Sequence, residues 1–237
     1  STYVGISERN CHITTTSHSS RPVINGFIYL DTNLKTTAVT GNSKLFIQNY
    51  SNLKVTPLTA KPRNESKITG YTVSCNGVSK SSTTAKELNL GTVAKSGDVV
   101  VMVTVTDSRG YTTSIKKTIT VIPYSSPNLS TITLRRTNEI ESEIQLVFNG
   151  SYSPLTIDGE NRNRLLSFRY QYKRTSDANY GNFVDILSEL KMNGTSYSYS
   201  NLQLMKLDVN MSYSFHIEIR DVMEKSVVTD LYFTIPQ

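Results

Sequence analysis

The chain has 237 residues, enough for one or two domains with cores of their own. Hydrophobic residues make up 37% of it, and no apolar run is long enough to cross a bilayer as a helix, so a membrane partner is not expected. The net charge of +6 is uneven: residues 1–122 carry 14 basic and 6 acidic side chains, residues 123–237 carry 11 and 13. A basic first half would suit an anionic partner such as a teichoic-acid-bearing wall or nucleic acid. The bases are scattered, however, with no Lys/Arg patch interleaved with aromatics, so a solvated β-surface is the better reading and nucleic acid is not expected as a partner.

In chain order, residues 1–21 come first. The run Cys11-His-Ile-Thr-Thr-Thr-Ser-His-Ser-Ser-Arg-Pro22 resembles Lys117-Thr-Ile-Thr-Val-Ile-Pro-Tyr-Ser-Ser-Pro127 further on. It reads either as the last strand of a preceding domain or as an N-terminal arm docked on a neighbour. No leader sequence and no Met opens the chain, so a processed chain or an excised fragment is expected.

A first unit spans 22–125. Val23–Leu30 reads as its first strand and Thr40–Ser43 as a turn. Leu45, Ile47, Leu53, Val55 and Leu58 mark the next strand, with an irregularity over Gln48–Asn52. Ile68–Cys75 is a strand ended by Asn76-Gly77, a strong hairpin signal, with Val78–Ser82 as its antiparallel partner. Val99, Val101, Val103 and Val105 then alternate with tolerant positions, the period of a half-buried strand. Asp107-Ser-Arg-Gly110 supplies turn chemistry, and a Thr/Ile-rich run returns to Pro123. About seven short strands at this spacing make the pattern of an immunoglobulin-like sandwich, without the Cys…Trp…Cys signature.

The linker Pro123-Tyr-Ser-Ser-Pro127 is short and stiffened by two prolines. A second unit spans 126–237. Ile132–Arg136 and Glu143–Gly150 read as strands, and Ser151–Arg164 as a long polar loop. In Leu166–Arg174 the residues Leu166, Phe168, Tyr170 and Tyr172 share a face. Asn182–Met192 is ambiguous between an edge strand and helical spacing, with strand favoured. Tyr213 sits where a fibronectin-III-like sandwich places its tyrosine corner. Tyr213, Phe215, Ile217 and Ile219 precede Asp221 as the valines precede Asp107, in the same register. Pro22–Asn33 also aligns with Pro127–Asn138, so a duplicated sandwich is expected. The fold class is therefore all-β, two tandem immunoglobulin-like or fibronectin-III-like β-sandwiches.

Chemistry is sparse. Cys11 and Cys75 are the two cysteines, read as free buried thiols rather than a disulfide framework, and no Cys/His spacing suits zinc. There is no nucleophile elbow and no phosphate-binding glycine loop. Asp158-Gly-Glu-Asn-Arg-Asn163 lacks the ligand order and closing Glu of a calcium loop. No catalytic residue, metal site or cofactor is expected. Tyr152, Tyr180, Tyr197 and Tyr199 fall in or near expected loops. They could stack on sugar rings, or they could pad the sandwich edges.

Three blocks carry a resemblance: Thr40-Gly-Asn-Ser-Lys-Leu-Phe-Ile-Gln-Asn-Tyr-Ser-Asn-Leu-Lys-Val-Thr56, Ile68-Thr-Gly-Tyr-Thr-Val-Ser-Cys-Asn-Gly77 and Val103-Thr-Val-Thr-Asp-Ser-Arg-Gly-Tyr111. In this order they resemble minor structural proteins of tailed phages (siphophages) that infect Gram-positive bacteria. The second unit departs from the pattern, with Asp221-Val-Met-Glu224 in the turn. The resemblance implies a non-enzymatic virion protein with immunoglobulin-like domains, in a tail tip or receptor-binding appendage. It would act as a spacer or as a cell-wall attachment module. Implied partners are other tail proteins, copies of itself and host wall polysaccharide. A bacterial surface adhesin repeat, or accessory binding domains of a wall hydrolase, are the alternatives.

Overall fold

The computed structural model describes residues 20–136, 144–201, 207–208, 210–223 and 227–233. The expectations for residues 1–19, Cys11 included, lie outside them. The strands in chain order are β1 Phe27–Asp31, β2 Leu45–Ile47, β3 Asn52–Pro57, β4 Ile68–Cys75, β5 Val78–Ser82, β6 Leu88–Thr92, β7 Gly97–Asp107 and β8 Thr112–Ile122. The chain continues with β9 Asn128–Arg136, β10 Ile144–Ser151, β11 Thr156–Ile157, β12 Glu160–Asn161, β13 Leu165–Arg174, β14 Val184–Asp185, β15 Lys191–Asn193, β16 Ser196–Asn201, β17 Tyr213–Asp221 and β18 Val227–Phe233. One helix, α1, spans Leu34–Thr40. The fold is all-β, built as β-sandwiches of the immunoglobulin-like, fibronectin-III-like kind.

Two compact units divide the described residues. The first compact unit holds residues 20–29, Lys54–Leu90 and Val100–Thr118; the second holds Leu30–Leu53, Gly91–Val99 and the chain from Ile119 onward, so neither coincides with the units expected at 22–125 and 126–237.

In the first unit β4 pairs antiparallel with β5 and β7, with Val73 opposite Val103 and Cys75 opposite Val101. The period-2 pattern turns Tyr71, Val73, Cys75, Val101, Val103 and Val105 inward, all buried. Asn76 and Gly77 both have positive φ (47° and 80°), the two-residue turn that their types favour. The outer face is lined with hydroxyls: Thr72 meets Ser81 at 2.8 Å and Thr104 meets Ser114 at 2.7 Å. Lys117 on β8 donates to the Phe27 carbonyl on β1 at 2.6 Å, its ammonium 4.9 Å from the Phe27 ring centre.

In the second unit α1 is seven residues long and rich in β-branched side chains, so its ends must hold it. The Asn33 side chain accepts from Lys35 N–H, and Gly41 closes the helix in the left-handed region (φ 66°). The expected single strand around Gln48–Asn52 is two strands. β2 pairs parallel with β8, while β3 lies between β1 and β6 in another sheet. The break is a turn in which Ser51 Oγ accepts from Ile47 N–H and Ser51 N–H donates to the Ile47 carbonyl.

Further along this unit, sheets β15-β16-β10-β9 and β14-β13-β17-β18 enclose one core. Phe148 and Phe168 stack across it at 4.7 Å, nearly parallel, and Tyr199 stacks on Phe148 at 5.2 Å. Each such fully buried side chain contributes about 1.5–3 kcal/mol of burial. Tyr213 starts β17, and its hydroxyl accepts from the Asp208 N–H five residues upstream, the hydrogen bond of a tyrosine corner. Residues 182–192 hold the short β14, a 3-10 turn over Leu187–Glu189 and β15, so the expected single strand is corrected to two short ones. The apolar spacing read as helical reflects Ile186 and Leu190, both buried in the core.

Candidate functional site

The four candidate tyrosines separate. Alternation along β16 turns Tyr197 and Tyr199 into the core, each 3% exposed, which corrects the expectation that they could offer a ring to sugar. The Tyr197 hydroxyl donates to the Asn128 carbonyl at 2.6 Å. Its ring lies where only a glycine fits opposite: a Cβ on Gly150 would overlap both that ring and the Asn128 oxygen. Burial raises its pKa well above the ordinary tyrosine range. Tyr152 is half-buried against the same core. Tyr180 is half-buried beside His216, ring centres 5.8 Å apart, with the Lys173 ammonium 5.2 Å from its ring centre.

The loop of residues 174–181 that carries Tyr180 is wrapped around Lys173. Lys173 Nζ donates to the Asp177 carbonyl at 2.9 Å. At the ends of the loop, Thr175 N–H donates to the Ser212 carbonyl and Gly181 N–H to the Tyr172 carbonyl, both at 3.0 Å. Arg174, Asp177 and Asn179 are exposed. With Tyr180 they border an open depression of about 400 Å³, which Tyr172, Leu207 and Tyr213 also line.

The expected polar loop at 151–164 is half exposed but anchored by three buried side chains. It contains the β11–β12 hairpin, turned at Asp158-Gly159 with positive φ at both residues. Leu155, Ile157 and Asn163 are buried. Arg162 leaves this segment to donate to the Thr40 carbonyl at 2.9 Å, at the end of α1.

Two buried carboxylates sit at equivalent places in the two long hairpins. Asp107 accepts from Arg109 N–H and Tyr111 N–H and pairs with the Arg109 guanidinium at 2.6 Å. Burial works to raise its pKa, but these bonds outweigh it and hold the carboxyl below its ordinary range. Asp221 is fully buried and accepts from Tyr124 Oη (2.9 and 3.1 Å), Asn163 Nδ2 (2.9 Å) and Met223 N–H (2.9 Å). Burial, then the Asp221 charge, push the Tyr124 hydroxyl's pKa well up. Tyr124 belongs to the linker. It also crosses Tyr50 edge-on at 5.3 Å and joins Ile47, Leu155 and Met223 in an apolar cluster. Ser125 N–H donates to Ser153 Oγ at 2.8 Å. All these residues lie in the second compact unit, so residues 123–127 are fixed within it rather than free. Neither carboxylate borders the depression beside Tyr180, and both are spent on backbone and side-chain donors. Among the described residues no group of three His, Cys, Asp or Glu could hold a metal ion. Cys75 is buried, which raises its thiol pKa and makes it a poor nucleophile.

The arrangement defines a β-sandwich protein with a docked linker and an open, polar loop site. The chain belongs to a family described as siphovirus proteins of unknown function (DUF859), whose model matches residues 1–224. No curated protein matches it. Among solved structures it is similar to the fibronectin(III)-like modules of Clostridium thermocellum CbhA, at 11% identity over 81% of this chain and 89% of that one, TM-score 0.28. It is also similar to a two-domain fibronectin type-III segment of chicken tenascin, at 12% identity over 76% and 91%, TM-score 0.25. A third is the Bacteroides ovatus mixed-linkage glucan utilization locus protein SGBP-B, at 14% over 81% and 65%, TM-score 0.24. Likeness at this level carries no argument, and the fold stands on the sheets described above.

Proposed function

We propose that this chain is a non-enzymatic structural protein of the siphovirus virion, located in the tail tip of a phage of Gram-positive bacteria. It works there as a spacer and as a wall-attachment module. Its sandwiches are taken as residues 22–125 and 126–237, repeated by duplication. Its partners are other tail proteins, further copies of itself and wall polysaccharide. Family membership supports the virion setting. The observation that carries the spacer role is the docked linker: a free tether leaves its residues in solvent, whereas Tyr124 is 6% exposed and bonded to a buried carboxylate. Residues 123–127 are therefore an ordered part of the compact unit that contains them, which suits a spacer better than a free tether would.

Immunogold labelling of purified virions with antibody to this chain tests the reading. Gold at the tail end distal to the capsid is expected. Gold on the capsid, or none on intact virions, would overturn it.

A further inference from the structure

We infer that the loop of residues 174–181 is a saccharide site that takes an uncharged hexose unit of the host's wall polysaccharide. This rests on the attachment role proposed above and locates it.

Three observations carry it. The loop is rigid before any ligand arrives, since Lys173 holds it from inside and two backbone bonds close its ends. A preformed loop loses little conformational entropy on binding. Next, among the described residues Arg174, Asp177 and Asn179 have no side-chain hydrogen-bond partner, and all three are exposed beside one depression. A guanidinium, a carboxylate and a carboxamide are planar groups that can bond two neighbouring hydroxyls at once, and a pyranose presents such pairs around its ring. Lastly, the Tyr180 ring stands at the edge of the same depression, where its apolar face can cover the C–H face of a pyranose.

The depression, about 400 Å³, lies within the range of about 300–1,000 Å³ usual for small-ligand sites, but it is open. Binding per site is therefore weak, and useful attachment comes from several copies engaging one polymer. Charge gives a polyanion little to hold: Asp177 offsets Arg174, and the one remaining cation among the described residues lining the depression, Lys173, is directed at the loop carbonyls and the Tyr180 ring. The ligand is thus a neutral stretch of polysaccharide, and its binding depends little on salt.

The full chain is titrated calorimetrically with wall polysaccharide from the phage's host, stripped of teichoic acid, at low and high salt. The same titration is run with teichoic acid alone. Wild type is expected to bind the stripped polysaccharide equally at both salts. Tyr180→Ala and Asn179→Ala should each weaken it at least tenfold, with melting temperatures unchanged for the exposed Asn179→Ala. If wild type binds and both variants bind equally well, the site is wrong and the attachment role stands. If wild type prefers teichoic acid, or loses binding at high salt, the uncharged ligand is wrong. If wild type binds neither polymer, the site and the attachment role fall together.

Discussion

Replacing Tyr124 with Phe removes one hydroxyl and leaves the ring in its apolar cluster. The hydroxyl is one of three donors to Asp221 among the described residues, and that carboxylate has no solvent exposure. A hydrogen bond to a charged group is worth about 1.5–3 kcal/mol, and the cost of losing one rises when the acceptor stays buried. Water cannot replace the lost donor without opening the Met223 and Leu155 packing. We therefore expect a loss of about 2 kcal/mol. In a chain of this length each kcal/mol moves the melting temperature by about 2–4 °C, so the transition should fall by about 4–8 °C. Thermal unfolding followed by circular dichroism reads this directly. Tyr111→Phe, on a ring 45% exposed, serves as control and should change stability by less than about 0.5 kcal/mol. A Tyr124→Phe melt indistinguishable from wild type would mean that Asp221 does not depend on the linker, and the docked-linker argument would lose its basis.

Gly150→Ala should cost about 3 kcal/mol or more, since the new methyl meets a backbone oxygen that cannot move without shifting β9; a soluble, equally stable variant would contradict this. The Asp107 carboxyl has a lowered pKa in the folded chain, so its stabilising effect is complete above the ordinary carboxylate value of about 4 and is lost as pH falls below it. Asp107→Asn should flatten that acid limb in pH-dependent melts. Burial, then the neighbouring Tyr199 and Tyr172, push Tyr170 up to about 12, so its neutral form favours the folded state below pH 10 and that stability drains between about pH 10 and 12. Tyr170→Phe should shift the alkaline midpoint upward.

The hairpins are legible in the sequence because period-2 alternation and turn chemistry are local properties. Asn76-Gly77 and the paired Val and Tyr/Phe/Ile runs need no distant partner to declare themselves. Helix α1 is hidden because Leu-Lys-Thr-Thr-Ala-Val-Thr has weak propensity. It forms through its ends, and through Thr36 donating to Asp31, which also accepts from Asn33 and Asn52 N–H. The Asn33…Gly41 spacing is the available signal. Tyr197 and Tyr199 are core residues although they adjoin a turn: Ser-Tyr-Ser-Tyr-Ser is itself an alternation with one apolar face, and strand period outweighs the exposure that aromatics near a loop suggest. The Tyr124–Asp221 bond spans 97 residues, and no local pattern could announce it. The loop around Lys173 is legible only as Tyr180, because the lysine's role depends on the loop folding back over it.

The two buried carboxylates show why one turn carries Arg and the other Met two residues after the Asp. Arg109 has 29% of its side chain exposed, so its charge can pair with Asp107 while keeping part of its hydration. Met223 is 2% exposed and packs with Ile47, Tyr124 and Leu155. A guanidinium at that place would lose its water for a single partner, and desolvation of a buried ion pair commonly exceeds its Coulomb gain. Neutral donors, a tyrosine hydroxyl and an asparagine amide, satisfy Asp221 at smaller cost, and they come from the linker and from residue 163 instead of the turn. Met223→Arg should therefore fail to rescue Tyr124→Phe and lower its melting temperature further. Recovery towards wild type in the double variant would show that an ion pair could have served there, and that covering by apolar neighbours did not dictate the choice.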